Sequence, residues 1–261
     1  MLSRTPSHVL LAPFRAQNYR TLRRSFRTYG NPISTLYRYV TNRGDYPAEI
    51  AVRTPVGPVK VATPSFHDLR TINEVFCRGD YAVGSDVKVV VDVGANIGIS
   101  ALYFLTRNNH SRVYCFEPSP INTPRLRERL APFGDRVVIS EQALSDRDGF
   151  FEFNAEPVGR YSGLVIPDYS RELVNVVQVE TLNISDALER ILEAEPFIDV
   201  LKIDTEGTEE SILRSIRPEL LSKIGEMFVE VNLDEPLFPE HFTQVSRPDG
   251  IAHFRARRDG R

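Results

Sequence analysis

From Lys88 to Val231 short Val/Ile-rich runs alternate with segments of helical periodicity, a pattern that few architectures accept. Such alternation produces a parallel sheet covered on both faces by helices. "VKVVVDVG" reads as a buried strand, and "GISALYFLTRN" as a helix with Ile99, Leu102 and Leu105 at helical spacing. "RVYCFEPS" is a second strand, followed by Ser119 as a cap, Pro120 in the first helical turn and "RLRERLAPF". "RVVISEQAL" reads as one third strand, and a β insert follows it ("GFFEFN", then "VVQVETL"). Then come a helix ("ISDALERILEA"), a strand ("FIDVLKID"), a helix ("TEESILRSI") and a strand ("GEMFVEV"). The tail "FTQVSRPDGIAHFRARR" reads as two strands joined at Asp249-Gly250, a turn-favouring pair.

The segment before this alternation has another character. Residues 1 to 44 hold eight Arg and no acid, leaving 24 basic against 35 acidic residues in the other 217. An acidic body disfavours non-specific nucleic-acid binding, whereas the basic leader could touch an anionic membrane surface or an acidic partner. An Arg-rich, acid-free start also resembles a mitochondrial transit peptide, but "RTYGNPISTLYRYV" reads as a docked helix. "AEIAVRTPVGPVKVATPS" is a hairpin broken by Pro and Gly, and "SFHDLRTINEVFCRGDY" a helix with Leu69, Ile72, Val75 and Phe76 on one face, capped by Ser65 or Asp68. No apolar run reaches the ~18 residues of a membrane helix. Cys77 and Cys115 give neither a disulfide framework nor metal-ligand spacing, so a reducing, cytoplasmic setting fits.

In an open parallel sheet ligands lie at the carboxyl ends of the strands, which singles out Asp92, Glu117, Gln142-Ala143 and Asp204. The loop in "VVVDVGANIGIS" has Gly94 and Gly98 with Asn96 between them, rather than the G-x-G-x-x-G of a dinucleotide loop. Asp92 would repel a phosphate and attract an ammonium or sulfonium. Glu117 stands 23 residues after Gly94, close to the ~20-residue spacing at which an acid meets ribose hydroxyls. The loop therefore suits a cationic nucleoside without phosphates, and S-adenosylmethionine is such a molecule.

"VVVDVGANIGIS", "CFEPSP", "EQALSDRDG", "GRYSG" and "IDVLKIDTEGTEESIL" occur in the order and at about the intervals of the FkbM-like methyltransferases, which the chain resembles over roughly Asn31 to Val231. The resemblance implies a class I methyltransferase fold: a Rossmann-like, mostly parallel seven-stranded sheet with helices on both faces. The chain reads as a basic N-terminal extension and cap of helices and a small hairpin (1-84) followed by an S-adenosylmethionine-binding methyltransferase domain (85-261). S-adenosylmethionine is the implied donor, and a hydroxyl of a sugar or polyketide-like small molecule the implied acceptor. By motif, Asp92, Gly94, Ala95, Asn96, Gly98 and Ser100 fall in the donor loop, Glu117 at the ribose, Gln142 and Ala143 near the adenine, and Asp204 to Gly207 beside the reacting centre. The family often reads T-L-D where this chain has Thr181-Leu182-Asn183. The connection after Asn232 looks short, so another subunit of a homo-oligomer could complete the acceptor side.

An alcohol acceptor must lose a proton, and Asp204, Glu206 and His67 are the candidate bases. Glu209 and Glu210 read as acids that complement a helix dipole. Arg160 and Tyr161, between glycines in "EPVGRYSG", are candidate acceptor contacts. A required metal is not expected, because no second and third ligand accompanies Asp204 in sequence. Base methylation of nucleic acid is disfavoured, since "IDTEG" stands where an Asn/Asp-Pro-Pro-Tyr/Phe loop would be. The alternatives are an NAD-dependent oxidoreductase or epimerase, and a binding protein without turnover.

Overall fold

The computed structural model describes residues 16–155, 175–231, 233, 235–246 and 250–257. They fall into two compact units, Met1–Ala82 and Val83–Arg261. The first unit contains helices α1 (Ala16–Thr28) and α2 (Pro32–Thr41), the hairpin β1 (Ala48–Thr54) and β2 (Gly57–Thr63), and α3 (Phe66–Ile72), which runs on into a π-helical turn at Asn73–Arg78. Asn31 caps α2 by accepting from Ser34 N at 3.2 Å, and at α3 the Ser65 N–H donates to Asp68 Oδ2 at 2.6 Å. Leu69, Ile72, Val75 and Phe76 are all buried, as the helical spacing requires, although the last two ride on the π turn. The Asn73 amide donates to the Tyr29 hydroxyl at 3.2 Å, and the Arg53 guanidinium donates to the Tyr29 carbonyl at 2.8 Å, tying the hairpin to the end of α1.

The second unit begins with β3 (Val89–Val93), α4 (Ile99–Leu105), β4 (Arg112–Phe116) and α5 (Asn122–Leu130). The α5 helix opens two residues after Pro120, with Ser119 Oγ accepting from Ile121 N at 3.3 Å and Asn122 N at 3.4 Å. The run read as one third strand is two: β5 (Val137–Ser140) joins the main sheet, and β6 (Ala143–Ser145) pairs elsewhere. The chain changes sheets at Glu141-Gln142, a break that a continuous apolar pattern does not reveal. β6 lies parallel to β8 (Asn175–Asn183), which pairs antiparallel with β7 (Gly149–Ala155), making the insert a three-stranded sheet. Asn183 caps α6 (Ile184–Ala194) by accepting from Ser185 N at 2.8 Å, so the residue in place of the family's acid still has a structural task. There follow β9 (Ile198–Ile203), α7 (Glu209–Arg214), α8 (Pro218–Leu221), β10 (Ile224–Glu230), β11 (Phe242–Ser246) and β12 (Ile251–Ala256).

The main sheet runs β5-β4-β3-β9-β10-β12-β11. The first five strands are parallel, while β12 lies antiparallel between β10 and β11. This strand order, with the last strand inserted antiparallel, is that of the class I methyltransferase fold. β3 is buried along its whole length, and it shares one core with β9, β10 and α6 through Val91, Leu201, Met227 and Leu188. Both thiols, Cys77 and Cys115, are free and buried. Strand order reverses between β3 and β9, which opens a crevice at their carboxyl ends where ligands of such sheets bind.

Candidate active site

The two loops that flank this crevice are fastened by a buried lysine. In the parallel β3–β9 register Asp92 lies opposite Lys202. Lys202 Nζ is 3.1 Å from Asp92 Oδ1 and 3.4 Å from Asp204 Oδ2, and it donates to the Gly94 carbonyl at 2.6 Å and the Val93 carbonyl at 3.3 Å. Burial works against the ammonium, but Asp92 and Asp204 outweigh it and hold the Lys202 pKa above its ordinary value. Sequence reading passed over Lys202. The available signal was a charged residue inside the apolar run "VLKI", which a central strand tolerates only when the charge is paired.

The structure brings Asp92 and Ser100 together behind the loop. Asp92 is fully buried, its Oδ2 accepting from Ser100 Oγ at 2.6 Å and its Oδ1 facing Lys202. The carboxylate is thus hydrogen-bonded through Oδ2 and ion-paired through Oδ1, which anchors the start of the loop from within the sheet.

The loop itself is closed on its own N–H groups. Gly94 N and Ala95 N donate to the Phe116 carbonyl at 3.0 and 3.1 Å, and Asn96 N to Glu117 Oε2 at 2.7 Å. Ile97 N donates to Asn96 Oδ1 at 2.7 Å and Gly98 N to the Ala95 carbonyl at 2.8 Å. A pyrophosphate-binding loop needs N–H groups free to reach the anion, and those of Gly94 to Gly98 are bonded internally.

Asn96, at φ 50°, turns the chain so that its N–H meets Glu117. Gly94, at φ 74°, brings the loop against the post-β9 segment, since a Cβ there would lie 1.8 Å from the Asp204 carbonyl oxygen. Gly94→Ala should therefore destabilise the fold by roughly 2 kcal/mol or more, left-handed strain adding to overpacking. Urea denaturation checks this.

Glu117 is buried at the end of β4 and accepts from Asn96 N, Ser119 N (3.0 Å) and the Asn122 amide (3.3 Å). Burial pushes its pKa up, and those donors oppose the shift. Three donors leave acceptor capacity on the two oxygens of a carboxylate. Gln142 is half-buried between β5 and β6 and accepts from Ser140 Oγ at 3.1 Å, while Ala143 is buried.

After β9 the chain turns through Glu206 at φ 61° and Gly207 at φ 115°. Glu209 holds this turn. Its carboxylate accepts from Thr205 N at 2.7 Å and Gly207 N at 2.9 Å, and it is buried, so its work is to clamp a loop rather than to complement a dipole. Glu210 is exposed and pairs with Arg214 at 2.8 Å. Asp204 is partly exposed, and Glu206 is exposed at the crest of the turn.

The structure adds one residue to this group. Val229 lies beside Ile203 in the parallel β9–β10 register, so Glu230, the next residue on β10, comes level with Asp204. Its pKa is pushed up to about 9, first by the Asp204 carboxylate, then by burial, a hydrogen bond to Asp204 and the charge of Glu206. The side chain keeps solvent access, so like charge is the cause that counts. Among the described residues no three His, Cys, Asp or Glu are placed to hold a metal. His67 lies in the first unit on α3, its ring edge-on to Phe66 at 6.1 Å. Arg160 and Tyr161 lie outside the described residues.

The profile of the methyltransferase FkbM domain matches residues 92–247, more than half of the chain. The chain belongs to the FkbM methyltransferase family. Among curated proteins it is 39% identical over 66 residues to the 2-O-methyltransferase NoeI of Sinorhizobium fredii, a match over 25% of this chain and 27% of that protein. It is 26% identical over 157 residues to the hexuronic acid methyltransferase AglP of Haloferax volcanii, covering 60% of each. The chain thus spans about a quarter and three fifths of these two relatives. A solved structure of M. capricolum TrmK in complex with S-adenosyl-homocysteine aligns at 10% identity over 71% of this chain and 67% of that one, with a TM-score of 0.35, too distant to carry weight.

Proposed function

We propose that this FkbM methyltransferase uses S-adenosylmethionine to methylate a hydroxyl of a sugar or similar small acceptor. One observation carries the donor assignment: the N–H groups of Gly94 to Gly98 are all bonded within the protein, and the crevice is edged by Glu117, Asp204, Glu206 and Glu230. Such a site favours a cation without phosphates over a dinucleotide, which also disfavours the NAD-dependent alternative. The spare acceptor capacity of Glu117 fits the vicinal hydroxyls of a ribose. When bound, the sulfonium supplies a methyl carbon already activated for displacement.

The protein's own contribution is alignment and handling of one proton. Asp204, fixed by its N–H to the Val93 carbonyl at 3.2 Å and by Lys202, accepts the acceptor's hydroxyl proton. Glu206 steadies the turn at the acceptor edge, and Gln142 and Ala143 border the adenine. The hydroxyl acceptor is supported by the relatives' names, which specify 2-O-methylation and a hexuronic acid.

Glu117→Gln keeps size but turns one acceptor oxygen into a donor facing N–H groups. Donor affinity should fall tenfold to a hundredfold, the loss of a charge-assisted contact of about 1.5–3 kcal/mol. Titration calorimetry with S-adenosylmethionine and NAD tests the assignment, and NAD binding in preference to the donor would overturn it. Transfer of labelled methyl into a panel of sugars and glycolipids tests the acceptor class, and donor binding without transfer to any of them would favour the non-catalytic reading.

A further inference from the structure

Helices α1 and α2 carry their apolar residues on the outside. On α1 the inward side is polar, with Ser25 buried and Thr21 and Thr28 half-buried. Tyr19, Leu22 and Phe26, at i, i+3 and i+7, are 62%, 46% and 49% exposed. On α2 Thr35 is buried, while Ile33, Tyr37 and Val40 are 74%, 55% and 76% exposed. Six large apolar side chains on two neighbouring helices thus face solvent, which single surface residues do routinely and contiguous rows do not.

The same helices are basic. Arg20, Arg23, Arg27 and Arg43 are exposed, Arg24 and Arg38 donate to the Arg78 and Asp45 carbonyls, and residues 16 to 44 contain no acid. An apolar row flanked by arginines on a helix too short to span a bilayer is the composition of an element that lies in the lipid headgroup layer. No described helix is long and apolar enough to cross a membrane.

We propose that α1 and α2 dock on an anionic lipid surface, with Tyr19, Leu22, Phe26, Ile33, Tyr37 and Val40 entering the headgroup layer and the exposed arginines meeting lipid phosphates. A second copy docking face to face would set arginine against arginine. Docked elsewhere on a copy, this face would meet at most the pair Phe150 and Val176 on β7 and β8 among the described residues, since Val138, Phe197 and Val245 sit singly on separate elements. The proposal does not depend on the methyl-transfer reading.

The test is co-sedimentation of the full chain with vesicles of phosphatidylcholine alone and with about one third phosphatidylglycerol. Binding is expected only to the anionic vesicles and should weaken as salt is raised. Leu22→Ser with Phe26→Ser should weaken it at all salt concentrations. Arg20→Gln, Arg23→Gln and Arg27→Gln together should lower affinity about a hundredfold, each charge near the surface being worth about fivefold. All five side chains are exposed, so the variants should keep the parent's melting temperature. Equal binding to neutral vesicles, no binding, or binding untouched by these variants overturns the proposal. So does self-association in sedimentation velocity that the variants abolish while vesicles bind nothing, which assigns the face to a second copy.

Discussion

Lys202→Met lowers stability by about 3–5 kcal/mol, the effect of removing one partner from a buried ion pair and leaving the other charge uncompensated. Asp92 would keep only Ser100 as a partner in full burial, and the Val93 and Gly94 carbonyls would lose their shared donor. Denaturant unfolding measures the loss. A Lys202→Met, Asp92→Asn double variant should recover part of it, because the stranded charge is gone. A single variant as stable as the parent would show that the pair does not join β3 to β9.

Asp204→Asn is expected to slow methyl transfer by ~10²-fold or more with little change in donor affinity, since shape is kept and only the proton acceptor is lost. Glu206→Gln should do less. If Asp204→Asn turns over normally while Glu206→Gln is inactive, the roles are exchanged; if both are active, the base lies elsewhere and His67 is next to test. Glu230 gives this pair a pH signature. Its folded pKa is raised above the ordinary carboxyl value, so its protonated form is favoured in the native state. The associated stability is fully present below about pH 4.5 and is lost as pH rises towards about 9. Glu230→Gln, which cannot ionise, should gain on the parent in melting temperature across that window. Parallel melting curves at every pH would sink the coupling.

Much of the second unit was legible because its strands are nearly continuous apolar runs separated by helical spacing, and because the Gly94–Gly98 loop and Glu117 follow strand ends directly. What escaped depends on which strands become neighbours. That Asp92 is paired with Lys202 shows only once β9 is placed beside β3. Glu230 drew no notice at the end of the strand "GEMFVEV" until β10 aligned it with Asp204. The split between β5 and β6 was hidden for a related reason: both halves are apolar, and only their pairing partners differ. Glu209 shows the limit of local rules, because an acid in a first helical turn satisfies the dipole and a loop clamp equally well on paper.

That clamp bears on how the enzyme could diversify. With Thr205 and Gly207 tied to Glu209 and the turn already bent through Glu206, the conformational entropy of this edge is surrendered during folding and not again with each turnover. If Asp204 and Glu206 act as proposed, the reacting edge is a fixed part of the frame, and acceptor preference can drift through changes in other segments without rebuilding it.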